Sequence, residues 1–419
     1  MLRTVLLSGL CTLAAAGAAT AQNVAVGTCP PSLPSFSTIQ AAIAASSSNG
    51  TVQVCPGTYG EQIIIQKNLT LKGISDGTSN AAVIVTPAGG MVANATSLSS
   101  GNPIATQVLV EAPATAVTIT NLALDGSNNG ITNCTPILIG ILYQNASGTV
   151  MHTSVKNHVL ASSPVDMRGC QSGLGIFVQS GGGGTSNVKI TSNYVQNYQK
   201  NGITVDENGS TATITGNTVI GQGPTTGAAE NSIQLGFGAS GAIQNNATGN
   251  DVWAPDVFGD TGNAAAGILV YASPSIAITG NTVNNTQFGI GIVTDTNFGV
   301  ADGTTVTGNK VSTTNLYDGI ELCSNANLVQ SNSISGSDEA GVHIDDGCTG
   351  SATGNTVTNN TINSACAGLL IGPGATGSLT TPNTYFNVVT LTKTGSNVCT
   401  PPLAASVRAR RRAPSPARP

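Results

Sequence analysis

Asp318, Glu321, Asp338, Glu339, Asp345 and Asp346 place six carboxylates in the thirty residues from Asp318 to Gly347, together with His343, in a chain that is only 8% charged. Such groups do acid/base work. One carboxyl kept protonated serves a leaving oxygen, and a second kept ionised activates water. His343 has Glu321 and Asp345 for company and can carry a proton near neutral pH. His152 and His158 have no comparable neighbours and read as structural. Two other readings of the acids stand beside catalysis. Asp345 and Asp346, in "DDG", offer oxygen donors to Ca²⁺, and paired acids at turns also simply face water or cap backbone N–H groups.

Aromatic side chains supply a binding surface for such chemistry. The segment "DVWAPDVFGDTGNAAA" (251–266) carries the only tryptophan, Trp253, with Phe258, Asp256 and Asp260. Their faces and carboxylates suit stacking on sugar rings. Packing of Trp253 against the flank of the fold would account for it equally well. Tyr271 and Tyr317 fall near enough in the repeat to line the same groove as Asp345.

The elements that position these residues repeat along the chain. Gly-φ-x-φ, with φ apolar, occurs at Gly140, Gly175, Gly202, Gly267, Gly289, Gly319, Gly341 and Gly368, and "SIQL" at Ser232 fills a gap. Asn-x-φ occurs at Asn193, Asn217, Asn250, Asn281, Asn309, Asn332 and Asn355. A period near 22 residues in short alternating strands marks a solenoid, because one copy cannot bury its own apolar face. Stacking places equivalent residues about 4.8 Å apart. Asparagines in register can then bond as a ladder, and glycine supplies turn conformations. In each Gly-φ-x-φ strand the x residue and the one after the second φ point outward. Glu321 and His343 should therefore sit on adjacent rungs facing solvent, with Asp345 beside His343. The fold class expected is all-β, a right-handed parallel β-helix of about eleven coils. "STIQAAIAASSSNG" puts Ile39, Ala42 and Ile43 on one face of a short N-terminal capping helix, with Ser35 or Ser37 as its cap. The far end should close after "YFNVVTLT" (385–392).

The flanks set the compartment. Residues 1–21 read as a signal peptide, with Arg3, an apolar run and the Ala19-Thr20-Ala21 cleavage site. Its removal leaves Cys29, Cys55, Cys134, Cys170, Cys323, Cys348, Cys366 and Cys399. An even number in an exported chain suggests disulfides, and near-neighbour pairing is the simplest. The β-helix domain spans 22–403. Residues 404–419 form a basic, proline-containing tail expected to be disordered. Between Gln22 and Val407 there are 8 Lys and Arg against 19 Asp and Glu, which argues against nucleic-acid binding. No apolar run is long enough to span a membrane. A secreted or periplasmic monomer is expected.

The stretch "FSTIQAAIAASSSNGTVQVCPGTYGEQIIIQKNLTLKG" resembles the opening of pectin-lyase-like parallel β-helix proteins, pectin methylesterases among them. The later copies resemble generic parallel β-helix repeats, including those of periplasmic NosD-type proteins. "YDGIEL" and "SDEAGV" are similar to the acidic motifs of polygalacturonase-type hydrolases, and that resemblance implies Asp318, Asp338 and Glu339 as catalytic acids. The pattern then departs. "GNTVTNNTI" stands where a His-Gly would follow, no Arg-x-Lys appears, and Arg168 is the single arginine between Gln22 and Val407. The function expected is binding or processing of polysaccharide. Hydrolysis is favoured over lyase or esterase chemistry, with Asp318, Glu321, Asp338, Glu339 and His343 as catalytic candidates and Trp253, Phe258, Tyr271, Tyr317 and Asp345 as contacts. No cofactor is expected apart from the Ca²⁺ reading. The alternatives are a non-catalytic adhesive β-helix and a NosD-like metal-binding module.

Overall fold

The glycine that opens each Gly-φ-x-φ copy stands where no Cβ fits. At Gly319 a Cβ would lie 2.4 Å from Ile334 Cγ2 and 2.8 Å from the carbonyl oxygen of Gly341. At Gly289 it would lie 2.3 Å from the Gly319 oxygen and 2.4 Å from Val311 Cγ1. Neither glycine has a positive φ. The repeat therefore selects glycine for space at the corner between two sheets, not for the turn freedom expected from the sequence.

A computed structural model of the chain describes residues 22–161, 170–254, 264–314 and 317–395. The signal segment, Arg168, Phe258, Cys399 and the basic tail lie outside the described residues. Three long sheets run along the molecule, with 13, 12 and 13 strands, and sequence-distant strands pair in parallel from coil to coil. This is the right-handed parallel β-helix anticipated, about one coil longer than expected. Apolar side chains from all three sheets meet in one continuous core running from Val24 to Ala375. The third sheet carries the Gly-φ-x-φ strands, and its register follows the repeat. Leu269 pairs with Gly291, Gly291 with Glu321, Glu321 with His343 and His343 with Leu370.

An asparagine ladder stitches the corner between the first and second sheets. It runs through Asn193, Asn217, Asn246, Asn281, Asn309, Asn332, Asn360 and Asn383, with Nδ2 to Oδ1 distances of 2.9–3.0 Å. Each Oδ1 also accepts the backbone N–H of the preceding asparagine in the ladder, as Asn281 does from Asn246 at 2.9 Å. Two expected members are corrected. Asn250 is not a rung, because Thr248 occupies the apolar position that Val219 and Val283 hold in neighbouring coils; threonine has the shape of valine, so Asn246 is the true rung. Asn355 belongs to a second ladder, accepting from Asn327.

The N-terminal helix covers Ile39–Ala45 and buries Ile39, Ala42 and Ile43. Its cap is Thr38, whose hydroxyl accepts the Ala41 N–H, and not Ser35 or Ser37. The Glu61 carboxylate accepts the Ile39 and Gln40 N–H groups at 2.8 and 3.0 Å. At the other end, Thr390–Thr394 pairs in parallel with Ala367–Ile371, yet Phe386, Val389 and Leu391 remain exposed. Disulfides join Cys29 to Cys55, Cys134 to Cys170 and Cys323 to Cys348. Cys366 is also oxidised. Among the described residues no helix is long and apolar enough to cross a membrane.

Candidate functional site

The acids of 318–347 gather on the outer face of the third sheet. Strands Ile320–Cys323 and Ala340–Ile344 bring Glu321 and His343 side by side. Asp318 stands just before the glycine of its strand. Its Oδ1 accepts the Ala340 N–H at 3.0 Å, and its Oδ2 accepts from His343 Nδ1 at 3.0 Å. His343 Nε2 lies 3.9 Å from Asp345 Oδ1. Burial alone would lower the imidazole pKa. The charge and hydrogen bond of Asp318, then the charges of Asp345 and Glu321, outweigh it and lift the pKa to about 9. His343 is therefore an imidazolium at neutral pH.

Two separate groups of ligating atoms result. Asp318, Glu339 and His343 each offer one atom within 4.8 Å of the others, and all three are buried. These residues could hold a metal ion, although His343 Nδ1 is already engaged with Asp318. Glu321 and Asp345 also bring carboxylate oxygens within 4.8 Å, beside Cys323 Sγ. Cys323 is tied to Cys348, so it provides no thiolate there. Two carboxylates this near each other can both reach one glycosidic bond.

The expected solvent exposure of this face is corrected. Glu321 is 2% exposed and His343 6%. The outer face carries its own apolar cluster, with Phe237, Leu269, Tyr271, Phe288, Val293 and Tyr317, which packs beside the acids. Tyr317 stacks on Phe288 with ring centroids 4.5 Å apart. Asp338 is exposed while Glu339 is fully buried, so these neighbours do not act together. Asp345 is half-buried and accepts the Gly347 N–H, while Asp346 accepts that of Gly374.

Trp253 offers no face to a ligand. It is fully buried beside Ala229 and Ala265, and its indole N–H donates to the Gly227 carbonyl. It fixes its loop to the solenoid flank, which corrects its reading as a substrate contact. An exposed aromatic beside the outer cluster is Phe298, packed edge-on against Phe237 at 5.3 Å. Phe237 in turn lies 5.2 Å from Tyr271, whose hydroxyl donates to Asp295. Neither Phe298 nor Asp295 lies in a Gly-φ-x-φ strand, and only the unusually long interval between "GIGI" and "GIEL" hinted at a turn worth reading.

A second group of buried ionisable side chains lies in the coils before. Tyr198 Oη donates to Asp251 Oδ1 at 2.6 Å, and Ser232 donates to the same carboxylate. Gln222 donates to both oxygens of Glu230. Burial raises Asp251 to about 8 and lowers Lys200 to about 7. Lys200 and Glu230 each directly precede their strands, two residues before Gly202 and Ser232, the same offset that Glu339 has from Gly341, and that shared column was the available signal.

No family model matches the chain, and no curated protein does. Solved structures do. The A-module of the mannuronan C-5 epimerase AlgE4 of Azotobacter vinelandii superposes with a TM-score of 0.58 at 14% identity, over 90% of this chain and 95% of that one. The catalytic unit of an α-1,3-glucanase of Streptomyces thermodiastaticus gives 0.56 at 14%, over 93% and 72%. The Dettilon tailspike protein gives 0.57 at 14%, over 81% and 61%. At these identities the likeness shows a shared parallel β-helix fold.

Proposed function

We propose that this chain is an exported polysaccharide hydrolase acting on the outer face of its third sheet. The observation that carries the reading is the close Glu321–Asp345 carboxylate pair with the His343 imidazolium beside both, paired with Glu321 across the strands and 3.9 Å from Asp345. Glu321, whose charge helps hold the His343 proton in the free protein, suits the group that takes up a proton as substrate covers it and delivers it to the glycosidic oxygen. Asp345, which reaches solvent, suits the carboxylate that attacks the anomeric carbon and is later released by water. His343, held by Asp318, supplies positive charge to that carboxylate and to the leaving oxygen. Asp318 is thus a positioning residue. The neighbouring folds named an epimerase, a glucanase and a tailspike support a glycan ligand, and the disulfides support an oxidising compartment.

Release of reducing ends from a polysaccharide panel tests this. Glu321→Gln and Asp345→Asn should each cut the rate at least a hundredfold while leaving binding in place. A second reading, a non-catalytic adhesive solenoid, is favoured by the near-complete burial of Asp318 and Glu339. It predicts binding with no release by the wild-type protein.

A further inference from the structure

Resting on the hydrolase reading, we infer that the site takes an uncharged hexose polymer, with Phe298 as an aromatic subsite about three rungs from Asp345, and that it excludes polyuronates. Tyr271, Val293 and Cys323 occupy successive rungs of the outer row, and Asp345 follows Cys323's strand on the next coil. The Tyr271 to Asp345 distance along the sheet is therefore roughly 14 Å, the length of a few sugar rings. Phe298 is 48% exposed at that end and is braced from beneath by Phe237 and Tyr271. A braced, exposed ring presents a flat apolar face to the C–H side of a pyranose. Asp295 beside it and Asp302, which accepts the Asn325 N–H, add acceptors for sugar hydroxyls.

Charge decides the substrate class. Asp318 and Asp345 stand 3.0 and 3.9 Å from the His343 ring at one end, and Asp295 stands beside Tyr271 at the other. The body around them is acidic, with one arginine between Gln22 and Val407. A polyanion approaching this acidic body meets a net like charge. A neutral chain meets none and finds carboxylates ready to accept its hydroxyl protons.

Isothermal titration of the mature protein at low salt tests the inference. The probes are neutral α-1,3-glucan oligosaccharides, laminarin, xyloglucan and galactomannan, set against polygalacturonate and alginate. At least one neutral polymer should bind, and Phe298→Ala should weaken it about tenfold with an unchanged melting temperature, while Phe298→Tyr retains it. The polyuronates should not bind at low salt. Tighter binding of a polyuronate, or equal affinity of the Phe298→Ala protein, would overturn the inference while leaving hydrolysis intact. Binding of no polysaccharide at all would remove the hydrolase reading with it.

Discussion

His343 carries a proton that most histidines would have shed. Its pKa in the fold, about 9, stands above the usual 6.5 because Asp318, Asp345 and Glu321 outweigh the effect of burial. A raised folded-state pKa contributes stability that is fully present below pH 6.5 and is lost as pH rises through 9. Denaturant midpoints of the wild type and His343→Gln should therefore differ most below pH 6.5 and converge above pH 9. A constant difference across that range would mean the imidazole is neutral. Activity should fall over the same upper limb if the imidazolium assists the leaving group. At this scale much was legible. The 22-residue spacing of Gly319 and Gly341 and strict alternation fix Glu321 beside His343. The burial of both was not legible, because the aromatic cluster that flanks them comes from several coils and no local pattern reports it. Trp253 was misread as a contact and Phe298 was missed for the same reason: sequence shows that a loop carries a ring, and only packing decides whether the ring points in or out.

Elements owe their stability here to contacts with the coil above and the coil below. Asn281 accepts two hydrogen bonds from Asn246 and donates to Ile243 and Asn309. Asn281→Ala strands buried donors on one side and acceptors on the other, at about 1–3 kcal/mol for each unmet group. We expect a loss on the order of 3 kcal/mol in urea unfolding, against roughly 1 kcal/mol for Asn387→Ala at the exposed last coil, where φ is +51°. Glycines separate into two kinds. Gly319→Ala drives a methyl into Ile334 and the Gly341 carbonyl and should cost about 1–3 kcal/mol through overpacking. Gly308, at φ +66° with open space around it, should lose roughly 1 kcal/mol on replacement by alanine through backbone strain alone. Similar losses at both positions would contradict the division. The ladder itself was readable from the recurrent asparagine. Its membership at Asn246 was hidden because Thr248 fills a valine's place without looking apolar.

As a whole the molecule is a rod whose coils act through their nearest neighbours, and its disulfides fall where coils must be held in pairs. Cys323–Cys348 links the strand of Glu321 to the turn beyond His343 and Asp345. Cys323→Ser with Cys348→Ser should lower stability by about 3 kcal/mol and lower activity more than the equivalent change at Cys29–Cys55, because the lost link spans the site. Equal effects on activity would show that the link only stabilises. Zinc or manganese added to the wild type gives a further check. Binding through Asp318, Glu339 and His343 would raise the melting temperature and abolish the imidazolium role. No rise is expected.

The configuration of the first product is the most direct measure of the central claim, that Glu321 and Asp345 form one catalytic pair. Proton NMR of a fresh wild-type digest of a neutral glucan reads it within minutes. A double displacement through Asp345 predicts that the product appears with the anomeric configuration of the substrate. Appearance of the opposite anomer, or no cleavage by the wild type, would contradict the account.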